Sequence, residues 1–287
     1  MRRIPLLAAA LLPAVLLVAS IARADGKADL AAAQAADQRH DSAAAIPLYT
    51  SALASGTLSV EERSSALRAR ALDERDQQQF EKAIADDTEA IKLNADDEQA
   101  FVDRATTYAY SGHVEAALAD LATAIGLKPT DVTALIDRGA IYAAQHDYAR
   151  ALADLNAALK AEPDNLGAML NRAAAYHGLG DNDKAIADLD AVIRLRPNLA
   201  GAYYDRGNAW RDKGSIARAI VDYSTAIKLK TDYGAPITIA ARPISSKGNI
   251  RKRSPISRSR SVSRRTIPAR TTIVPRSIAI SANMTTR

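Results

Sequence analysis

The sequence predicts an all-α fold, a solenoid of stacked helix-turn-helix repeats. Three observations carry this. Pro129, Pro163 and Pro197 stand 34 residues apart, and segments 98–131, 132–165, 166–199 and 200–233 superpose on that spacing without a gap. Small residues recur at fixed places inside each segment. Ala and Leu are abundant while aromatics make up only 5% of the chain, a composition that favours helices. A fixed period of this length marks a repeat array, in which each unit buries its apolar face only against its neighbours.

The first 24 residues read as a signal peptide. Arg2 and Arg3 form a basic start, residues 4–18 are apolar, and Ala22-Arg23-Ala24 is a small-x-small cleavage site. Cleavage there predicts an exported chain, periplasmic or secreted, beginning near Asp25 and without a membrane span. The uncleaved alternative is an anchor, because residues 4–22 approach the length of a membrane helix. The chain has no cysteine, which excludes disulfides, thiolate metal sites and a cysteine nucleophile.

The repeats follow in order. A degenerate copy at 26–59 keeps Ala45, Tyr49 and Ala52, and residues 60–63 are then a short insertion. Segment 64–97 keeps Ala71, Ala83 and Ala90 but has Glu74 where later copies have an aromatic. In the next four copies position eight is small, as Ala105, Gly139, Ala173 and Gly207, and position eleven is aromatic, as Tyr108, Tyr142, Tyr176 and Trp210. Position twenty is Ala117, Ala151, Ala185 and Ala219, and position twenty-seven is Ala124, Ala158, Val192 and Ala226. Two helical stretches split by a turn fit each unit, as at 134–145 and 149–161. The small residues let the two helices approach, and the proline at position thirty-two ends the second. Large apolar residues at positions four, twenty-four and twenty-eight are expected to be buried.

In 132–165 these positions read Leu135, Gly139, Tyr142, Ala151, Leu155, Ala158 and Pro163. With this pattern the chain resembles the tetratricopeptide repeat family over roughly residues 26–233. It departs from the family at Ala95 and Thr231, which replace the proline, and at Gln78 and His146, which replace the turn glycine. It also places Arg at position seven (Arg70, Arg104, Arg138, Arg172, Arg206), where the family usually has an apolar residue. Asp stands at position twenty-three in the same copies (Asp86, Asp120, Asp154, Asp188, Asp222). The two series predict a ladder of ion pairs between first and second helices. The alternative is two separate solvated faces, where an ion pair is worth at most ~1 kcal/mol.

No catalytic, cofactor or metal constellation is present in the sequence. His40, His113, His146 and His177 lack the spacing of a zinc motif, and no phosphate-cradling GxxxxGK loop occurs. Asp96-Asp97 and Asp181-Asn182-Asp183 read as helix caps, too short for a calcium loop. The resemblance implies instead a docking groove on the first-helix face, at positions two, five, nine, twelve and thirteen. The candidate binding residues are therefore Thr106, Tyr110, Ile136, Leu170, His177, Tyr204, Asn208, Arg211 and Asp212. Thr133, Ile136 and Ala140 stand where a clamp for acidic C-terminal peptides needs basic residues and Asn, which disfavours that ligand. The expected function is a non-enzymatic scaffold that binds a protein or peptide.

Residues 234–287 are unlike the rest. They hold 12 basic residues and no acidic one, whereas 24–233 hold 23 basic against 33 acidic residues. A disordered Arg/Ser arm for nucleic acid or another polyanion is the alternative function, although an exported chain is not expected to meet nucleic acid. A second reading of the tail rests on codons. Joining the last base of each codon to the first two of the next lets residues 236–241 encode Tyr-Tyr-Asp-Arg-Gly, the run at Tyr203, Tyr204, Asp205, Arg206 and Gly207, in the 34-residue register. The same frame permits Gly at the turn position (Lys247-Gly248), Ala at position twenty (Lys252-Arg253) and Pro at position thirty-two (Arg264-Arg265). The tail is then expected to be a frameshifted copy of further repeats that does not fold.

Overall fold

The computed structural model describes residues 25–231, as twelve α-helices with no strand among the described residues. The predicted signal peptide and tail lie outside them. The chain divides into two compact units, with the boundary after Thr107. Unit one contains α1 (Gly26–Asp37), α2 (Ser42–Ala54), α3 (Val60–Asp76), α4 (Phe80–Leu93) and most of α5 (Glu98–Tyr110). Unit two contains the end of α5, then α6 (Val114–Leu127), α7 (Val132–Ala144), α8 (Tyr148–Ala161), α9 (Leu166–Gly178), α10 (Asn182–Leu195), α11 (Ala200–Asp212) and α12 (Ile216–Thr231). Within units, α1–α2, α3–α4, α7–α8, α9–α10 and α11–α12 are packed pairs, and successive pairs stack on one another.

The helices start and stop where short polar side chains and the turn demand. Asp131, Asp147, Asn165 and Asp181 each accept a hydrogen bond from the backbone N–H three residues on, capping α7, α8, α9 and α10. Asp97 accepts from Gln99 and Ala100 N–H at the start of α5. The turn between paired helices has one residue with positive φ in every copy: His40, Gln78, Gly112, His146, Gly180 and Gly214. Glycine takes this conformation freely, while His40, Gln78 and His146 are strained in it.

Unit one opens with the degenerate copy as a helix pair, with Ala33, Ala36, Ala45, Tyr49 and Ala66 buried together, and the Tyr49 hydroxyl donates to Asp37. The four extra residues 60–63 lengthen the next first helix. They form the first turn of α3, started by a capping box in which Ser59 and Glu62 bond each other's backbone N–H.

The small positions perform as expected. Ala117, Ala151, Ala185, Ala124, Ala158 and Val192 are fully buried. At Gly139 a Cβ would stand 2.9 Å from Leu155 Cγ, so the helices meet too closely there for a side chain. Leu135 and Met169 at position four and Leu121, Leu155 and Leu189 at position twenty-four are buried. Position twenty-eight is buried at Leu159 but half-buried at Ile125 and Ile193, as is position four at Phe101 and Tyr203. Unit one departs further. In copy 64–97 position twenty-four is Asp87, 1% exposed, with neither carboxylate oxygen hydrogen-bonded. Its burial, reinforced by the Asp103 carboxylate, pushes its pKa well up.

The Arg–Asp ladder forms. Arg70, Arg138, Arg172 and Arg206 each donate from Nε and Nη2 to both oxygens of Asp86, Asp154, Asp188 and Asp222, at 2.6–2.8 Å. Each pair is bidentate and joins the first helix of a copy to its second. A third bond reaches back to the preceding copy. Arg70 Nη1 donates to Thr50, Arg104 Nη1 to Thr88, Arg172 Nη1 to Asn156 and Arg206 Nη1 to Asp190. These four acceptors all occupy position twenty-five, and at Arg138 that position is Ala122, which has no acceptor. The same arginine thus holds its own helix pair together and ties it to the one before.

Candidate binding face

The first helices α9 and α11 and the second helix α12 bring one polar and aromatic cluster together in unit two. His177 Nε2 lies 2.9 Å from Asp212 Oδ2, and Arg211 Nε donates to Asp212 Oδ1 at 2.8 Å. These two partners, Arg211 first, hold the Asp212 carboxyl below its ordinary range. Arg211 Nη1 and the Tyr223 hydroxyl both donate to Asn208 Oδ1, at 3.3 and 2.9 Å. The Tyr204 ring stands 5.7 Å from the Tyr223 ring and is 55% exposed. The Arg211 guanidinium also interacts with the Tyr223 hydroxyl beside that ring. Five of the residues expected from the sequence, His177, Tyr204, Asn208, Arg211 and Asp212, therefore lie together in one cluster.

The others do not join it. Ile136 is 1% exposed and belongs to the core with Leu155 and Met169, so its expected place on an open groove is corrected. Leu170 is half-buried against the same core. Both hold position five, where the first helix of the next pair covers the residue, as α9 covers α7. At Tyr204 no described first helix follows, and position five opens. Thr106 is half-buried and donates its hydroxyl to the Val102 carbonyl of its own helix, while Tyr110 is 50% exposed at the end of α5. The sequence reading missed Tyr223. Its signal was a hydroxyl at position twenty-four, where neighbouring copies carry Leu, because a tyrosine packed there needs a partner for its O–H.

A sequence model for the tetratricopeptide repeat matches residues 102–165, 138–200 and 170–233. Those residues carry tetratricopeptide repeats. Solved structures share the fold. A tetratricopeptide repeat protein from Parabacteroides merdae superposes with a TM-score of 0.61 at 20% identity, over 72% of this chain and 84% of that one. MamA from Desulfovibrio magneticus superposes with a TM-score of 0.56 at 18% identity, over 60% of this chain and 98% of its own. YrrB, described as a tetratricopeptide repeat protein with an unusual peptide-binding site, gives 0.50 at 18% identity, over 58% of this chain and 87% of its own. No curated protein sequence matches the chain. Among the described residues no helix is long and apolar enough to cross a membrane, and no group of three acidic or histidine side chains is placed to hold a metal ion.

Proposed function

We propose that this chain is an exported, non-enzymatic tetratricopeptide scaffold that binds an extended peptide segment of a partner protein. The observation that carries the reading is the cluster of Tyr204, Asn208, Arg211, Asp212 and His177, an exposed ring beside an amide and an exposed guanidinium and carboxylate. Such a site suits a peptide carrying an apolar side chain for Tyr204 and backbone carbonyls or a carboxylate for Arg211. The likeness in fold to YrrB supports the class of ligand. Export is supported by the small-x-small site ending at Ala24 and by Asp25, which caps α1 immediately after it.

Selection from a random peptide library on the intact chain tests this, with affinities of the selected peptides measured by fluorescence anisotropy. Tyr204→Ala and Arg211→Ala should each weaken binding roughly ten-fold, the scale of one lost contact of about 1.4 kcal/mol. Tyr110→Ala, on α5, should leave it unchanged. Selection of no peptide, or affinities indifferent to Tyr204 and Arg211, would remove the proposal. N-terminal sequencing of the exported chain should begin at Asp25.

A further inference from the structure

The outer stripe of α12 repeats a stripe against which the next first helix packs at the two preceding copies. Its residues are Ile216, Ile220 and Ser224, at positions seventeen, twenty-one and twenty-five. One copy earlier the same positions are Asn182, Ile186 and Asp190, and α11 packs against this stripe. Ile186 is 6% exposed, whereas Ile220 is 58% exposed and Ile216 50%. Two copies earlier they are Tyr148, Leu152 and Asn156, and α9 packs against this stripe. The Tyr148 ring reaches Gly178 of α9, where a Cβ would stand 2.4 Å from it. Leu152 packs into the core. The stripe on α12 is therefore a docking face for a first helix.

Ser224 states what that helix should carry. Position twenty-five accepts a hydrogen bond from the arginine sixteen residues later at Thr88, Asn156 and Asp190. Thr88 does so while its own hydroxyl donates to the carbonyl four residues back, Ile84. Thr50 does the same with Ile46 and Arg70. The Ser224 hydroxyl donates to Ile220 O at 2.7 Å, the same arrangement, with its lone pairs open among the described residues. Sixteen residues on is position 240. In the alternative reading frame the codons of Ile239 and Ala240 permit Arg there, inside the Tyr-Tyr-Asp-Arg-Gly run. A second copy of the chain fits this face less well, because position seven of its first pair is Ala32.

We infer that α12 is built to be covered by a further tetratricopeptide repeat, encoded directly downstream in the frame displaced by one base, whose position-seven arginine bonds Ser224. This goes beyond the peptide-binding proposal and does not depend on it.

The test compares the full chain with the chain read after one base is inserted between codons 235 and 236. Far-UV circular dichroism should show a gain of about two helices per chain, on the repeat pattern, and the melting temperature should rise. Ser224→Ala should lower the melting temperature of the frame-restored chain by about 2–4 °C, the scale of one charge-assisted bond in a chain of this size. The same change should leave the original chain unaffected. A restored chain that is insoluble or gains no helix overturns the inference, as does a restored chain indifferent to Ser224→Ala. Tight binding of RNA by the original chain, falling steeply with salt and lost on deletion of 234–287, also overturns it, since the basic tail would then be functional as written.

Discussion

Removing one rung of the arginine ladder should hurt more from the arginine side than from the aspartate side. Arg172 donates twice to Asp188, at 2.8 and 2.7 Å, and once to Asn156 of the preceding copy at 2.8 Å. The Asp188 side chain is 11% exposed and that of Arg172 is 24% exposed. Arg172→Met leaves a nearly buried carboxylate with both hydrogen bonds lost. A fully buried pair broken this way costs about 3–5 kcal/mol, and the residual water contact here brings the figure to about 2–4 kcal/mol. Asp188→Ala leaves an arginine that still bonds Asn156 and can turn its head to solvent, at a cost of about 1–2 kcal/mol. The double variant leaves no stranded charge and should cost less than the sum, with a coupling of about 1–3 kcal/mol. Asn156→Ala removes only the tie between copies and should cost about 1 kcal/mol. Each kcal/mol moves the melting temperature by about 2–4 °C in a chain of this size. Stacked repeats unfold in parts, so the order of the four melting temperatures is the quantity to compare. Strict additivity in the double variant, or a larger loss from Asp188→Ala than from Arg172→Met, would refute the reasoning.

Ala151→Leu places three extra carbons where α7 and α8 touch and should cost roughly 1–3 kcal/mol, read in a urea melt; no loss would count against the close approach at Gly139. Gln78 holds φ +61° in the turn before α4, so Gln78→Gly should relieve strain and gain about 1 kcal/mol, seen as a higher melting temperature; a lower one would mean the turn is not strained. Burial raises the Asp73 carboxyl from 3.8 to about 6, with Ser42 opposing and Asp37 reinforcing the shift. A raised folded value means that the stability this group contributes is full below pH 3.8 and is lost as pH rises through about 6. Asp73→Asn should therefore be more stable than the natural chain at pH 7 and show a flatter stability profile between pH 4 and 6. An unchanged profile would show that Asp73 ionises freely in the fold.

The 34-residue spacing of Pro129, Pro163 and Pro197, with small residues between, was enough to place the helices from the sequence alone. The reason is that a stacked array writes its core as a period: the contact between Gly139 and Ala151 recurs because each copy packs its own two helices in the same way. The pairing of Arg172 with Asp188 was legible for the same reason, since two residues kept at fixed positions in every copy must sit at one fixed distance. Sequence spacing could not say which face of a first helix stays open. Ile136, Leu170 and Tyr204 hold the same position, yet Ile136 is buried, Leu170 is half-buried and Tyr204 is exposed. Their exposure depends on whether another first helix lies over them, and that is a property of the neighbours, not of the residue. The back-bond from each arginine to position twenty-five was hidden likewise, because Thr50, Thr88, Asn156 and Asp190 share an acceptor oxygen but not an identity. Only the stacked structure shows that one oxygen in one place serves the same arginine each time, and that Ser224 holds that place with no described arginine beside it.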